Sequence, residues 1–220
     1  MKEAYFTFEN IDEKSNRWLM KLKVFRKRHK ISFHPRKSAL LILDMQKYFL
    51  DKNSHAYIPS ASAIIPRVKN LMNNFLRQNL YVVLIRHIDE ENRESPMNIW
   101  WKDMIQETDT LSEITPDLHH PGSIIIRKSQ YDAFYQTPLE KFLKEKGIKQ
   151  VVITGVTTHL CCETTARSAF MRGFMVFFPI DGNATYNENF HWATILNLTH
   201  GFAIPVLCGE LIDTLKKLKI

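Results

Sequence analysis

Residues 151–173 read V-V-I-T-G-V-T-T-H-L-C-C-E-T-T-A-R-S-A-F-M-R-G and predict a buried strand that leads into a helix. The strand is the β-branched run at the start, and it ends at Gly155. The helix follows from Thr158, which suits an N-cap, and Gly173 suits its end. Cys161 then lies in the first helical turn, where free backbone N–H groups and the helix dipole lower the pKa of a thiol and offer donors to an oxyanion. The stretch therefore predicts a nucleophilic cysteine just beyond a strand.

The rest of the chain repeats this alternation of strand and helix. Most of the strands are continuous apolar runs, which is typical of strands that are covered on both faces. The predicted strands are Ala39–Leu43, Tyr81–Arg86, Ser123–Ile126, Gln150–Thr154, Met175–Ile180 and Ile204–Leu207. The predicted helices include residues 62–78, Thr137–Gly147, Asn187–Gly201 and residues 209–218. The pattern predicts one α/β domain over residues 36–220, a Rossmann-like three-layer α/β/α sandwich around a six-stranded parallel sheet.

Residues 1–35 stand outside that alternation as a basic N-terminal lead-in. Eight of the 30 Lys and Arg residues lie within residues 14–30, which hold no acid, so the remaining 22 basic residues face 23 acidic ones. Trp18, Leu22 and Phe25 follow helical spacing and predict a short amphipathic helix. One interpretation is an arm for nucleic acid or anionic lipid. We favour the other, a solvated helix that packs its apolar stripe on the body or on a second subunit, because runs of charge are usually solvated faces.

The composition is that of an ordinary globular protein. Of the 220 residues, 45% are hydrophobic and 24% are charged. No apolar run approaches the roughly 20 residues that cross a bilayer, and no signal peptide is evident. The three cysteines, two of them adjacent, match neither a disulfide framework nor a zinc site. We therefore expect a cytoplasmic protein that binds no membrane and no specific nucleic acid.

Three chemically capable side chains follow predicted strands. Asp44 follows the first strand, Lys128 the third, and Cys161 the fourth. Sites in open α/β sheets form beyond the carboxyl ends of the strands, so these groups can converge on one crevice as base, charged partner and nucleophile. Taken singly, they also fit a strand-end cap, a surface lysine and a small buried hydrophobe. The spacing by itself leaves both interpretations open.

Three stretches resemble, in order and at suitable distances, the signatures of the isochorismatase-like cysteine hydrolase family. They are L-L-I-L-D-M-Q-K-Y-F, K-S-Q-Y-D-A-F-Y-Q-T-P-L-E and I-T-G-V-T-T-H-L-C-C-E-T-T-A-R-S-A-F-M-R-G. The resemblance spans residues 37–215 and implies a six-stranded parallel sheet between helices. It also implies that Asp44 is the general acid/base, Lys128 its charged partner and Cys161 the nucleophile.

The resemblance further implies an oxyanion hole and a reaction. A non-proline cis peptide is expected at Val156–Thr157, with the amides of Thr157 and Cys161 directed at the oxyanion. The implied reaction is hydrolysis of a C–N bond in a small amide or ureido substrate through a Cys161 thioester.

Two other functions remain open from the sequence. T-P-D at residues 115–117 and H-L at residues 159–160 resemble true isochorismatases, which cleave a vinyl ether and release pyruvate with the aspartate as acid. That branch carries glycine at the position of Cys161 and needs no thiol, so the cysteine favours amide hydrolysis. The third possibility is a non-catalytic binding module, which an intact set of catalytic groups argues against.

The substrate contacts, cofactors and partners are expected as follows. His87, Trp100, Tyr131 and His159 are candidate contacts for a small-molecule substrate, although tryptophan in a loop over a sheet is more often part of the core. Nicotinamidases of the resembling family hold a metal through a D-x-H motif after the second strand, whereas residues 86–90 here read R-H-I-D-E. We therefore expect no metal and no other cofactor. A homo-oligomer, dimer or tetramer, is expected.

Overall fold

The computed structural model describes residues 1–90 and 94–218, and its centre is a parallel β-sheet. The strands are β1 (Ser38–Leu43), β2 (Tyr81–His87), β3 (Ile124–Lys128), β4 (Gln150–Val156), β5 (Met175–Pro179), β6 (Asn183–Ala184) and β7 (Ala203–Val206). Their order is β3-β2-β1-β4-β5-β7, and β6 pairs with the end of β4. The predicted α/β sandwich is confirmed. The predicted strand count omitted β6, because two residues are too few to show a hydrophobic period.

Helices cover both faces of the sheet. They are α1 (Ile11–Lys21), α2 (Lys23–His29), α3 (Lys47–Leu50), α4 (Ala61–Arg77), α5 (Pro96–Trp101), α6 (Leu139–Glu145), α7 (Glu163–Met171), α8 (Glu188–Gly201) and α9 (Cys208–Lys216). Helices α4 and α9 pack side by side, and α7 packs with α8. An ion pair of 3.0 Å between Glu140 and Arg172 joins the α6 and α7 region. None of the described helices has the length and apolar character to cross a membrane.

The strand order places a crevice between β1 and β4. The chain runs outward from β1 to β2 and β3, then returns to β4 and runs outward again to β5 and β7. Consecutive loops therefore leave β1 and β4 toward opposite sides, which opens a crevice beyond the carboxyl ends of these two strands. Asp44 follows β1 and Cys161 lies in the turn after β4, so the topology brings both to this crevice.

The N-terminal lead-in packs on the body of the same chain. Trp18 and Leu22 are buried in the hydrophobic core, and Phe25 is packed against it. The Trp18 ring contacts those of His191 and Trp192 on α8, at centroid distances of 5.3 and 5.6 Å. Many of the basic residues of this segment face solvent, on the opposite side of its helices. Residues 1–35 thus contribute to the one core that the sheet builds.

Candidate active site

The position of Asp44 is fixed by a close approach of two strand ends. Asp44 has a left-handed backbone (φ 53°), which aspartate tolerates better than most residues, and its N–H donates to the carbonyl of Ile85 at 2.9 Å. Gly155 on β4 pairs in register with Leu43, the last residue of β1. A Cβ atom at Gly155 would lie 2.1 Å from the Leu43 carbonyl oxygen, and the φ of this glycine is +121°. Glycine is therefore required there, and it brings the carboxylate next to the turn that follows β4.

Cys161 lies in a π-helical turn rather than in the predicted α-helical one. The turn comprises residues 158–162, and α7 continues from it. Thr158 is not the N-cap: it makes no capping hydrogen bond, and among the described residues its buried hydroxyl has no partner. The amide of Cys162 instead donates to the carbonyl of Thr157 at 3.2 Å, five residues back. Such widened turns often occur at functional sites.

The two adjacent cysteines have different surroundings. Neighbouring helical residues point about 100° apart, so they cannot both face one crevice. Cys161 lines a cavity, whereas Cys162 is completely buried in the core behind it. The third cysteine, Cys208, is buried at the start of α9. The structure therefore presents one thiol to the crevice.

Lys128 connects the carboxylate and the thiol. Its Nζ lies 2.9 Å from Oδ2 of Asp44 and 3.4 Å from Sγ of Cys161, and it donates to the carbonyl of Gln130 at 3.0 Å. The side chains of Lys128 and Asp44 are fully buried. Burial alone would lower the pKa of Lys128, but the Asp44 carboxylate and the hydrogen-bonding partner Cys161 raise it above its ordinary value. The lysine therefore remains a cation between two groups that can each carry a negative charge.

The thiol is not pre-ionised, contrary to the expectation from the sequence. Burial raises the pKa of the Cys161 thiol, and the nearby Asp44 carboxylate raises it further, while Lys128 offsets only part of this. The positive end of a helix lowers the pKa of a thiol, whereas removal from water raises it. At Cys161 the effect of removal from water is the larger. In the resting protein the proton therefore stays on sulfur, and a base is needed to remove it.

A buried chain of hydrogen bonds extends from Lys128 to a second carboxylate. Nζ of Lys128 lies 3.1 Å from Nδ1 of His87, and Nε2 of His87 lies 3.0 Å from Oδ1 of Asp89. Because the ammonium can only donate, Nδ1 accepts and the proton of a neutral His87 ring is on Nε2, facing Asp89. Asp89 also accepts from the amide of Ile105 at 2.7 Å. Burial would raise the pKa of Asp89, but these hydrogen bonds and charges lower it overall.

Gln46 fixes the backbone from which His87 projects. Its side-chain Nε2 donates to the His87 carbonyl at 2.9 Å, and its Oε1 accepts from the His87 amide at 2.8 Å. This paired contact ties the segment after β1 to the end of β2. His87, predicted as a substrate contact, therefore has its ring occupied on both nitrogens by protein groups, although its surface still lines the cavity.

The cavity beside Cys161 has a volume of about 270 Å³. Apolar side chains form much of its wall, and the polar groups differ in burial between its inner end and its solvent side. The apolar part includes Phe49, Met97, Trp101, Ile105 and Leu160. The inner end holds Cys161, Thr157 and His87, and the solvent side holds Lys2, Tyr48, His55, Asp103 and Tyr186. A small organic molecule with one polar end at the thiol fits this arrangement.

Two of the predicted substrate contacts lie elsewhere. Trp100 is 77% exposed and is not among the cavity-lining residues; its neighbour Trp101 lines the cavity instead and donates to the hydroxyl of Tyr131 at 2.7 Å. His159 stacks on Phe190 at a centroid distance of 4.4 Å, away from the cavity. Trp100 and His159 do not line the cavity, whereas their neighbours Trp101 and Leu160 do, because a one-residue shift along a helix changes the direction of a side chain by about 100°.

Sequence reasoning missed most of the cavity lining, including the polar residues Asp89, Lys2, His55 and Tyr186. Asp89, the end of the hydrogen-bonded chain, stands two residues after His87, which is the spacing of side chains on one face of an extended segment. That spacing was the signal that could have found it. Lys2, His55 and Tyr186 come from segments far apart in the chain, and no local pattern marks them.

The remaining predicted site elements are backbone groups. At Val156–Thr157, the position for which the resemblance implies a cis bond, the peptide is cis. Thr157 lines the cavity with Cys161. Within the described parts of the chain, no three His, Cys, Asp or Glu side chains are grouped so that they could hold a metal ion.

Comparisons with known proteins agree on the kind of protein. The family model described as "Isochorismatase domain" matches residues 38–208. Nicotinamidase 3 from Arabidopsis thaliana is 37% identical over 181 residues, which cover 79% of this chain and 86% of that protein. Enterobactin synthase component B from Escherichia coli (strain K12) is 31% identical, covering 82% of this chain and 64% of that protein.

Solved structures agree on the fold. A cysteine hydrolase from Pseudomonas syringae pv. phaseolicola 1448A superposes with a TM-score of 0.81 at 20% identity. The superposition covers 85% of this chain and 96% of that one. At this identity, the likeness concerns the fold alone.

Proposed function

Because this chain belongs to the isochorismatase-like cysteine hydrolase family, we propose that it hydrolyses the C–N bond of a small amide or ureido compound through a thioester at Cys161. The observation that supports this most is the buried cluster in which Lys128 lies within 2.9 Å of Asp44 and 3.4 Å of a thiol that opens into a cavity. Vinyl-ether cleavage needs the acid but has no use for that thiol.

The first step is a proton transfer from Cys161 to Asp44. Among the described residues, Oδ1 of Asp44 has no hydrogen-bond partner, so an acceptor is available. When the proton moves, the negative charge moves from Asp44 to sulfur, and Lys128 stays charged beside both. The net charge of the buried cluster does not change. A low-dielectric site therefore does not oppose the step as it would oppose the creation of an isolated ion.

The thiolate then attacks the carbonyl carbon of the substrate. The carbonyl π electrons move to oxygen, and the amides of Thr157 and Cys161 are proposed to hold that oxyanion. When the tetrahedral adduct collapses, the C–N bond breaks, and Asp44 returns its proton to the departing nitrogen. Water, deprotonated by Asp44, attacks the thioester, and a carboxylic acid leaves as the thiol reforms. The sum is amide plus water giving acid plus ammonia or an amine.

The hydrogen bonds from Lys128 through His87 to Asp89 keep the lysine in place during these steps. Lys128 is held from one side by Asp44 and from the other by His87, whose own orientation is set by Asp89. When Asp44 becomes protonated, the ion pair on one side is lost. The hydrogen bond to His87 then limits the movement of the ammonium and keeps it beside the thiolate, which is the group it must stabilise.

The test compares two products. Purified enzyme is incubated with small carboxamides and ureido compounds, with ammonia measured, and separately with isochorismate, with pyruvate measured. We expect ammonia release, its loss in Cys161→Ala, and an acyl adduct on Cys161 by mass spectrometry after rapid acid quench. Pyruvate release that persists in Cys161→Ala would instead assign the vinyl-ether reaction with Asp44 as acid.

A further inference from the structure

We infer that Lys2 determines substrate specificity, and that the substrate carries an anionic group, such as a carboxylate, at the end remote from its scissile C–N bond. The inference rests on the proposed function, since it concerns the orientation of a substrate whose carbonyl lies at Cys161. Its basis is a cation from the start of the chain at the solvent side of the catalytic cavity. We call that side the outer rim and define it by Lys2, Tyr48, His55, Asp103 and Tyr186.

The ammonium of Lys2 is placed by two contacts with the outer rim. It lies 4.9 Å from the centroid of the Tyr186 ring, and it donates a hydrogen bond to the carbonyl of His55. Both partners also line the cavity. A lysine ammonium has three donors, so after the bond to His55 it retains donors for a ligand.

The backbone that follows Lys2 is hydrogen-bonded to two other segments of the chain, residues 186–188 and Ser60. The amide of Glu3 donates to the carbonyl of Tyr186 at 2.8 Å, and the Glu3 carboxylate accepts from the amide of Glu188 at 2.6 Å. A little further on, the amide of Phe6 donates to the hydroxyl of Ser60 at 3.0 Å. Lys2 is therefore held at the cavity by its neighbours and is not a freely moving terminal residue.

The other charges at the cavity already have partners. Asp89 is bound to His87 and to the amide of Ile105. Asp103 lies 3.1 Å from Nε2 of His55 and accepts from the hydroxyl of Tyr48. For Lys2, by contrast, no carboxylate of the described residues lies within ion-pair distance. The cavity thus offers a cation, and no unengaged carboxylate, to an incoming ligand.

Partial burial strengthens this preference for an anion. It lowers the pKa of the Lys2 ammonium, since part of the water that would stabilise the charge is displaced by protein. An anionic group of the substrate would replace that lost stabilisation by a charge-assisted hydrogen bond. Apolar side chains form much of the remaining wall of the cavity, and its volume of about 270 Å³ limits the size of the substrate. A substrate with a short apolar middle, an amide at one end and a carboxylate at the other fits both the thiol and the outer rim.

The experiment uses pairs of amides that differ only in charge at the far end. Succinamate is compared with 4-methylpentanamide, and glutaramate with 5-methylhexanamide, since an isopropyl group has nearly the shape of a carboxylate. Ammonia release gives kcat/KM for the full-length enzyme and for Lys2→Gln, Lys2→Arg and Lys52→Gln. Lys52 is an exposed lysine of a nearby loop that does not line the cavity, so it is the charge-matched control.

For the wild type we expect the carboxylate member of each pair to be preferred. Lys2→Gln should lower kcat/KM for that member by about tenfold, as the loss of one charge-assisted hydrogen bond at a partly exposed site does, and leave the neutral member unchanged. Lys2→Arg should recover most of the loss, and Lys52→Gln should have no effect. An equal loss for both members would show that Lys2 only supports the fold.

A binding measurement separates this inference from the proposed function. Calorimetric titration with succinate, the acid that succinamate hydrolysis would form, needs no turnover. Binding by the wild type that weakens about tenfold in Lys2→Gln supports the anionic site even if no amide is hydrolysed. Hydrolysis of the neutral amides, with no preference for the anionic ones and no effect of Lys2 on succinate binding, would overturn the role of Lys2 and leave the amidase function standing.

Discussion

The two ends of the catalytic cavity are built in different ways. The reacting end, as we call it, comprises Cys161 and Thr157 at the inner end of the cavity and the buried Asp44 and Lys128 beside the thiol, and each of these belongs to a strand of the sheet or to the turn directly after one. The outer rim is assembled from Lys2 near the start of the chain, from Tyr48 on the short helix α3, from His55 and Asp103 in loops, and from Tyr186. One end is fixed by sheet register, and the other by contacts between loops and a terminal segment.

This difference separates chemistry from selectivity. The reacting end is buried and its ion pair is fully removed from solvent, so a change there alters the reaction itself. The outer rim is partly exposed, and its residues can change without moving a strand. We therefore expect substitutions at the reacting end to act on kcat and those at the outer rim to act on KM and on substrate preference. The predictions below test that division.

The largest effect is expected for the nucleophile. Cys161→Ala should lower kcat by at least about 10⁴-fold, since removal of a nucleophile from a cooperating set abolishes most of the rate enhancement. Cys162→Ala is the matched control: it removes a sulfur one residue away that faces the core. It should retain most of the activity and lose some thermal stability through the small cavity it creates. Comparable losses in both variants would break the assignment of one thiol to the cavity.

The second prediction concerns Asp44, whose substitution should lower turnover and at the same time raise the reactivity of the Cys161 thiol. Asp44→Asn should lower kcat by about 100- to 10,000-fold, as expected for the loss of a general base. The same change removes a carboxylate that raises the pKa of the Cys161 thiol and leaves Lys128, which lowers it. The pKa of Cys161 should therefore fall, and alkylation by iodoacetamide at pH 7 should become faster while turnover is lost.

The wild type supplies the control for this measurement. Because its thiol pKa is raised, alkylation of Cys161 should be slow at pH 7 and should increase steadily as the pH rises to 10, with no plateau near neutrality. Peptide mapping should find the label on Cys161 before Cys162 or Cys208, since the latter two do not line the cavity. Slower alkylation in Asp44→Asn than in the wild type would show that the carboxylate favours the thiolate and does not oppose it.

The sequence predicts the convergence of Asp44, Lys128 and Cys161 because apolar periodicity places each of them after a strand, whereas their catalytic roles and that of Thr157 are implied by the family resemblance. The apolar runs that end at Leu43 and Ile126, together with the run that Gly155 interrupts, place three strand ends at one edge of a parallel sheet. The strand order places Asp44 beside the turn that carries Cys161, and the long side chain of Lys128 reaches both from β3, two strands away from β1. What periodicity could not supply was the environment: desolvation raises the pKa of the thiol, and it depends on packing from many segments.

The outer rim could not be predicted because no local pattern encodes it. Lys2 reaches the cavity only because residues 3–6 bond to Tyr186 and Ser60, which are 183 and 54 positions away from their partners along the chain. Trp100 and Trp101 are adjacent and chemically alike, yet only the second lines the cavity, since the direction of a short helix decides between them. Such contacts are set by tertiary packing, not by residue type.

The third prediction tests the hydrogen bonds that extend from Lys128 through His87 to Asp89. Asp89→Asn should lower kcat by about 10- to 100-fold, with little change in KM, because the partner that orients His87 toward the lysine loses its negative charge. Asp103→Asn is the control, since Asp103 also lies at the cavity but contacts Tyr48 and His55 instead. It should act mainly on KM. A purely structural role for Asp89 would lower the melting temperature and leave kcat of the folded fraction intact.

The fourth prediction concerns how the terminal segment is anchored. The hydroxyl of Tyr5 accepts from the amide of Thr185 at 3.0 Å and lies 2.7 Å from Nδ1 of His191. Tyr5→Phe leaves these buried groups without a partner and should cost about 1–3 kcal/mol of unfolding free energy, or several degrees of melting temperature. Tyr135→Phe, at a half-exposed position, should be neutral. Because Tyr5 also holds Lys2 near the cavity, only Tyr5→Phe should raise KM for succinamate.

The smallest effect is a pH dependence of stability that originates at this anchor. Burial lowers the pKa of His191 to about 3, whereas in the unfolded chain the group has its ordinary value of 6.5. Below pH 6.5 His191 of the unfolded state gains a proton, whereas the buried ring of the folded state stays neutral down to about pH 3. The contribution of this residue to the free energy of unfolding is therefore fully present above pH 6.5 and is lost progressively between pH 6.5 and about 3. The free energy of unfolding changes by about 1.4 kcal/mol per pH unit, or by about 2 kcal/mol between pH 6.5 and 5.

Urea unfolding of the wild type and of His191→Gln at several pH values isolates the effect of His191, because all other groups titrate in both proteins. The wild-type free energy should fall more steeply than that of the variant in this window. Parallel curves would mean that His191 takes up its proton in the folded state, and that the segment carrying Lys2 is not held by a neutral, buried ring.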